Sequence, residues 1–130
     1  MYKAITRGIE VRVRPFFLPD QSDPEDSRFV WAYHICIINH GETTVQLLAR
    51  YWHITDGLGR VQEVEGEGVV GEKPVLKAGD SYEYTSGCPL SVDSGIMLGR
   101  YTMREEGGDF FDVDIPAFSL DIPGREAQLN

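Results

Sequence analysis

No stretch of this sequence approaches the roughly 20 consecutive apolar residues that a membrane-spanning helix needs. The basic N-terminal segment "MYKAITRGIEVRVR" also lacks the uninterrupted apolar run of a secretory signal. A helical membrane transporter is excluded on this ground, and a cytoplasmic protein is expected. Cysteine is scarce: only Cys36 and Cys88 are present, and in a reducing compartment such a pair is expected to remain as free thiols. Positive charge is scarce as well. Twelve Lys and Arg against 21 Asp and Glu leave a net charge of −9, a surface that repels phosphate backbones and anionic lipid, so nucleic acid is not an expected partner. There is no internal repeat and no low-complexity segment. No ten-residue stretch places apolar residues at three and four spacing behind a helix cap.

What is present is a succession of short runs of period two, separated by Gly, Pro, Asp and Asn. "GIEVRVRPFF" places Ile9, Val11 and Val13 on one face and Glu10, Arg12 and Arg14 on the other, a half-buried strand that Pro15 ends or marks as an edge. "RFVWAYHICIIN" aligns Phe29, Trp31, Tyr33, Ile35 and Ile37, which makes Trp31, Tyr33, Ile35 and Ile37 candidates for the central core. "HGET" is a turn, "VQLLARYWHIT" a strand, and "DGLG" a tight reversal into "RVQEVE". "AGDSYEYTSG", "GIMLGRYTM" and "FFDVDIPAFSL" supply three further strands, the last two joined through "EEGGD". Within "RYWHI", Arg50, Trp52 and Ile54 share one face and Tyr51 and His53 the other, so one set faces solvent or a partner. About seven strands at this turn density predict a single antiparallel β-sandwich over residues 1–124. The acidic "PDQSDPEDS" over 19–27 is expected to be a mobile loop, and residues 125–130 a frayed tail.

Gly66, Gly68 and Gly71 in "EVEGEGVVGEKP" have the spacing G-x-G-x-x-G of dinucleotide-binding turns. Such a turn works by opening a helix whose amides and dipole hold the pyrophosphate. Here Pro74 and strand-like residues follow, so no Rossmann site is expected. Glu63, Glu65, Glu67 and Glu72 repel phosphate, while Arg60, Lys73 and Lys77 offset part of that charge. Two readings stay open: glycines that let the chain cross between sheets, or an anion-binding nest built from Arg60, Gly66, Gly68, Gly71 and Lys73.

The blocks "ITDG", "GEGVVGE" and "YTSGCPL" within residues 52–90, continued by "GIMLGRYTM" and "FFDVDIPAFSL", resemble the ApaG family, and the resemblance extends over about residues 4–124. It implies an immunoglobulin-like or fibronectin type III-like sandwich, in keeping with the strand count. It also implies a link to cobalt resistance and magnesium efflux in bacteria, and interaction roles where such domains occur inside eukaryotic proteins. It supplies no catalytic residues.

The remaining chemistry is sparse. His34, His40 and His53 lie on separate predicted elements with no H-x-x-x-H or C-x-x-C pair, and Asp20, Asp23, Glu25 and Asp26 lack the glycine and spacing of a calcium loop, so no metal site is expected. Neither Cys36, Cys88 nor Ser86 has a sequence-adjacent base or a G-x-S-x-G elbow, and Cys88 between Gly87 and Pro89 reads as a small residue in a tight corner. The expected protein is non-enzymatic, needs no cofactor, and acts by binding another protein. A sandwich edge could serve homo-oligomerisation or a heterologous ligand. A sensor that binds a nucleotide pyrophosphate or metal–nucleotide at the Gly66–Gly71 loop is the alternative.

Overall fold

The computed structural model of the chain describes residues 1–124, so the predicted tail lies outside the described residues. The all-β expectation holds. Nine strands occur among those residues: β1 (Tyr2–Thr6), β2 (Ile9–Phe17), β3 (Phe29–Asn39), β4 (Val45–Asp56), β5 (Val61–Glu67), β6 (Val75–Leu76), β7 (Ser81–Leu90), β8 (Gly95–Glu105) and β9 (Phe110–Leu120). They form two antiparallel sheets in the orders β1-β2-β3-β7 and β5-β4-β8-β9, with β6 also on β4. The two short strands were not legible as such in the sequence. Each gains its ladder from a longer neighbour: β1 from β2 and β6 from β4.

The period-two faces are the core faces. Ile9, Val11 and Val13 of β2 and Trp31, Tyr33, Ile35 and Ile37 of β3 are buried against Trp52, Ile54, Met97, Tyr101, Val113 and Phe118 of the second sheet. Tyr33, Trp52 and Phe118 meet edge to face or tilted, at centroid distances of 5.2 to 5.8 Å. Buried hydroxyls find partners, as desolvation requires: Tyr84 and Tyr101 hydrogen-bond to each other, and Trp31 Nε1 donates to the Asp121 carbonyl at 2.8 Å.

Strict alternation fails at two points, and both failures are bulges. Leu47 pairs with Met103 but Ala49 with Thr102, so Leu48 is an extra residue in β4. Val45 and Leu47 point inward before it, Arg50, Trp52 and Ile54 after it; without the bulge, Trp52 would face out. In β9, Ile115 pairs with Gly99 and Phe118 with Met97, which spends Pro116–Ala117 on a bulge and keeps Ile115 and Phe118 both buried.

The acidic segment expected to be a mobile loop is instead hydrogen-bonded. Single 3-10 turns form at Pro19–Gln21 and Pro24–Asp26. Leu18 N donates to Val30 O at 2.9 Å, Val30 N to Ser22 Oγ at 2.9 Å, and Asp23 and Arg28 exchange backbone bonds. Val30, to which this segment is bonded, and Ala32 are buried although they lie on the side of β3 that alternation would leave wet. Nor is Cys88 a corner residue. β7 runs on through Pro89, which an edge strand tolerates, and places Cys88 opposite Trp31 in the core.

Candidate interaction surface

The sites proposed from the sequence are placed as follows. Gly66 lies within β5, and Gly68 and Gly71 in the excursion that carries the chain from β5 to β6 along the same edge of β4. A methyl on Gly66 would stand 2.6 Å from Arg50 Nη1, so this glycine makes room for the guanidinium. Arg50 in turn donates to the carbonyls of Glu67 at 3.0 Å and Gly68 at 3.1 Å. Val69 and Glu72 exchange both backbone hydrogen bonds at 2.8 Å around Val70 (φ +43°) and Gly71 (φ +81°). Two positive φ values in a two-residue loop are those of a type I′ hairpin turn. Gly68 has φ +61° and donates its amide to Leu48 O, while its Cα packs where a methyl would lie 2.3 Å from the Glu72 carbonyl oxygen. Each glycine thus has a structural reason, but the segment joins two strands on one edge of β4 within a single sheet, so the expected crossing between sheets does not occur here.

Of the anion-nest residues, Lys73 stays with the turn and pairs with Glu67 at 3.4 Å. Arg60 does not join them. It sits before the start of β5, held by Asp56 at 2.7 Å and Ser91 at 3.0 Å. The guanidinium against Gly66 is that of Arg50, on the inner side of the sheet, and on the outer side Arg100, Tyr51, Glu65 and Thr102 line a depression of about 390 Å³; neither arginine is in the predicted set. The Arg100 guanidinium stacks over the Tyr51 ring at 4.1 Å and Tyr51 OH donates to Glu63 at 2.8 Å.

The three histidines are apart. His34 faces out from β3 between Thr85 (2.8 Å) and Glu83 (3.0 Å). His40, in the turn after β3, reaches Glu10 at 2.7 Å. His53 is on the outer face of the other sheet, its Nδ1 buried and without a hydrogen-bond partner among the described residues. No group of three His, Cys, Asp or Glu that could hold a metal ion occurs among the described residues. Burial pushes the Cys88 thiol up to about 11, and burial together with the Glu83 carboxylate raises that of Cys36; both changes suppress the thiolate that a nucleophile needs. Bonds from Arg12 and His40 hold the Glu10 carboxyl down at about 2.

The outer face of the β5-β4-β8-β9 sheet carries the feature that sequence reading did not isolate. Val61, Thr55 and Ile96 form one cross-strand row, and Glu63, His53 and Leu98 the next. Leu58 stands in the turn that joins β4 to β5 at this end. Leu58, Val61, Ile96 and Leu98 are 69%, 57%, 51% and 43% exposed. The signal in the sequence was that Ile96 and Leu98 alternate with buried Met97; what it could not show is that Val61 lies on the same sheet face, across β4 from them. Among the described residues no helix is long and apolar enough to cross a membrane.

Comparison with known proteins places these features in a family. The family model described as the ApaG domain matches residues 19–105. The chain is 63% identical over 130 residues to Protein ApaG of Mesorhizobium japonicum and 61% identical to Protein ApaG of Brucella anthropi, covering 100% of each protein. The crystal structure of the putative ApaA protein from Bordetella pertussis superposes with a TM-score of 0.87 at 46% identity, covering 89% of this chain and 94% of that one.

Proposed function

The chain belongs to the ApaG domain family, and on that premise we propose that it is a non-enzymatic cytoplasmic binding module whose ligand is another protein. The observation that carries this reading is the end of the β5-β4-β8-β9 outer face where Leu58, Val61, Ile96 and Leu98 are exposed together. Scattered apolar residues are ordinary on a surface, but several exposed at one end of one sheet face, with Thr55 and His53 between them and charge beside them, have the mixed anatomy of a contact site. The neighbouring charges are Glu63, Glu65 and Arg100. A link of the pathway to cobalt resistance and magnesium efflux rests on the family resemblance alone. The test is Leu98→Asp, an outward substitution that spares the core. Wild-type protein immobilised from a native cytosolic extract should retain a partner that the variant loses while both unfold at the same temperature; equal retention would refute the assignment of this face.

A second reading, a sensor of nucleotide pyrophosphate or metal–nucleotide, is favoured by one observation: Arg100 stacks over Tyr51 in the depression beside Gly66. Saturable amide shifts confined to residues 65–73 on adding ATP or a dinucleoside polyphosphate, with or without magnesium, would support it over the first.

A further inference from the structure

We propose that the open edge of β5 takes up an extended segment of a partner protein carrying Lys or Arg at every second residue, adding it as a further strand. The proposal rests on the reading of the chain as a protein-binding module and names the partner's chemistry.

The register of the β4–β5 hairpin decides which groups are available. Asp56 N donates to Arg60 O at 2.9 Å at one end and Gly68 N to Leu48 O at 2.8 Å at the other, and the pairing between them is unbroken. Antiparallel pairs alternate between those that exchange hydrogen bonds and those that do not. Gln62, Val64 and Gly66 therefore turn their backbone groups to β4, and Val61, Glu63, Glu65 and Glu67 turn theirs to the open edge. The Glu67 carbonyl is taken by Arg50, which leaves the stretch Val61–Glu65 and the Glu67 amide to pair.

The other sheet edges are protected in ways that β5 is not. β7 carries Pro89. β1 and β9 are tied across the sandwich by Tyr2 OH to Ser119 Oγ at 2.9 Å and Asp114 N to Thr6 Oγ1 at 3.2 Å. β5 has no proline, no lysine and no bulge; of the devices that blunt an edge it carries only like-charged side chains, which bar some partners and not others. Its side chains select the occupant instead. Glu63, Glu65 and Glu67 are all exposed on one face; in an antiparallel pairing of two copies about Glu65 each would oppose another glutamate, and in one about Val64 Glu63 and Glu65 would still oppose each other, which is unfavourable. A second copy is thus disfavoured at this edge. A strand with alternating basic residues meets the same carboxylates with opposite charge, its main chain supplying the ladder, as in other cases of strand addition.

The probe is a short fluorescent peptide alternating lysine and valine, blocked at both ends, titrated into the full chain by anisotropy and by amide shifts. Saturable binding with shifts at Val61, Glu63 and Glu65 is expected. N-methylation of the peptide's alternate amides, which keeps its charge and removes its ladder, should weaken binding by about tenfold or more, and Glu65→Pro should do the same because its amide faces the open edge. Glu65→Gln should weaken it only by about twofold to threefold, as for one exposed charge. Equal binding of the N-methylated peptide, shifts elsewhere, or no saturation would overturn the proposal, and the first would reduce it to charge attraction. Peptide binding that survives in Leu98→Asp while the cytosolic partner is lost shows two separable surfaces. Failure of the peptide with a Leu98-dependent partner intact refutes the strand addition alone, and peptide binding without any Leu98-dependent partner refutes only the face.

Discussion

Replacing Gly68 or Gly71 with alanine separates the structural account of the G-x-G-x-x-G segment from the view that its glycines are interchangeable loop residues. At Gly71 (φ +81°) an added methyl meets nothing within 4 Å, so only the left-handed backbone opposes it. That conformation costs an L-residue roughly 1–2 kcal/mol, and alanine's stiffer unfolded chain returns roughly 0.4–1, for a net loss of about 1 kcal/mol. Gly68 (φ +61°) bears the same conformational term, but its methyl would lie 2.3 Å from the Glu72 carbonyl oxygen, which is backbone and accepts the Val69 amide. Relieving that overlap displaces the paired bonds of the Val69–Glu72 turn, each contributing about 0.5–1.5 kcal/mol, so the total loss is about 3 kcal/mol. In calorimetry, at about 3–5 °C per kcal/mol for a domain of this size, Gly71→Ala should lower the melting temperature by about 4 °C and Gly68→Ala by about 10 °C or more. Urea titration should give the same order. Equal losses at the two positions, or a larger loss at Gly71, would refute the assignment of Gly68 as the packed glycine of this pair.

Ile35 is fully buried at the centre of β3, and Ile35→Ala should lower the unfolding free energy by about 2–5 kcal/mol in urea; a loss below about half a kcal/mol would mean that this face tolerates truncation. The Glu10 carboxyl, lowered from 4.5 to about 2 by Arg12 and His40, stabilises the fold fully above its unfolded value and loses that contribution as pH falls through 4.5 toward 2. Thermal melts of the wild type and Glu10→Gln should therefore differ at pH 6 and converge by pH 2; a difference unchanged across that range would show that the carboxylate is not what Arg12 and His40 hold. Calorimetric titration with cobalt should give only weak binding, unaltered when His34, His40 and His53 are all changed to Ala, since the structure keeps the three apart; a single tight site lost in that variant would contradict the interaction reading.

Much of this architecture was legible in the sequence because a strand with one wet face must alternate. Ile9, Val11 and Val13, or Trp31 through Ile37, point to a common core whatever lies across from them, and "DGLG" and "EEGGD" mark the reversals by their need for positive φ. The division of "RYWHI" into two faces followed from the same period, while the structure decided that Trp52 and Ile54 are the buried set. The absence of a helix after Gly71 was likewise enough to set aside a Rossmann turn. Local chemistry determined these features, since each depends on residues within a few positions of one another.

Other features had no local cause. The bulge at Leu48, which turns Arg50 inward over Gly66, exists because β4 must satisfy β8 on one side and both β5 and β6 on the other. The acidic segment over 19–27 is tied to the start of β3 by the bond of Val30 N to Ser22 Oγ, a contact that its own composition does not announce. Arg60 and Lys73 are near in sequence but stand at opposite ends of β5, whereas Leu58, Val61, Ile96 and Leu98, far apart in sequence, share one surface because β4 lies between β5 and β8. Which strand is an edge, and so which backbone groups are unpaired, is a property of the strand order alone, and the strand order is decided by how two sheets close over a single core.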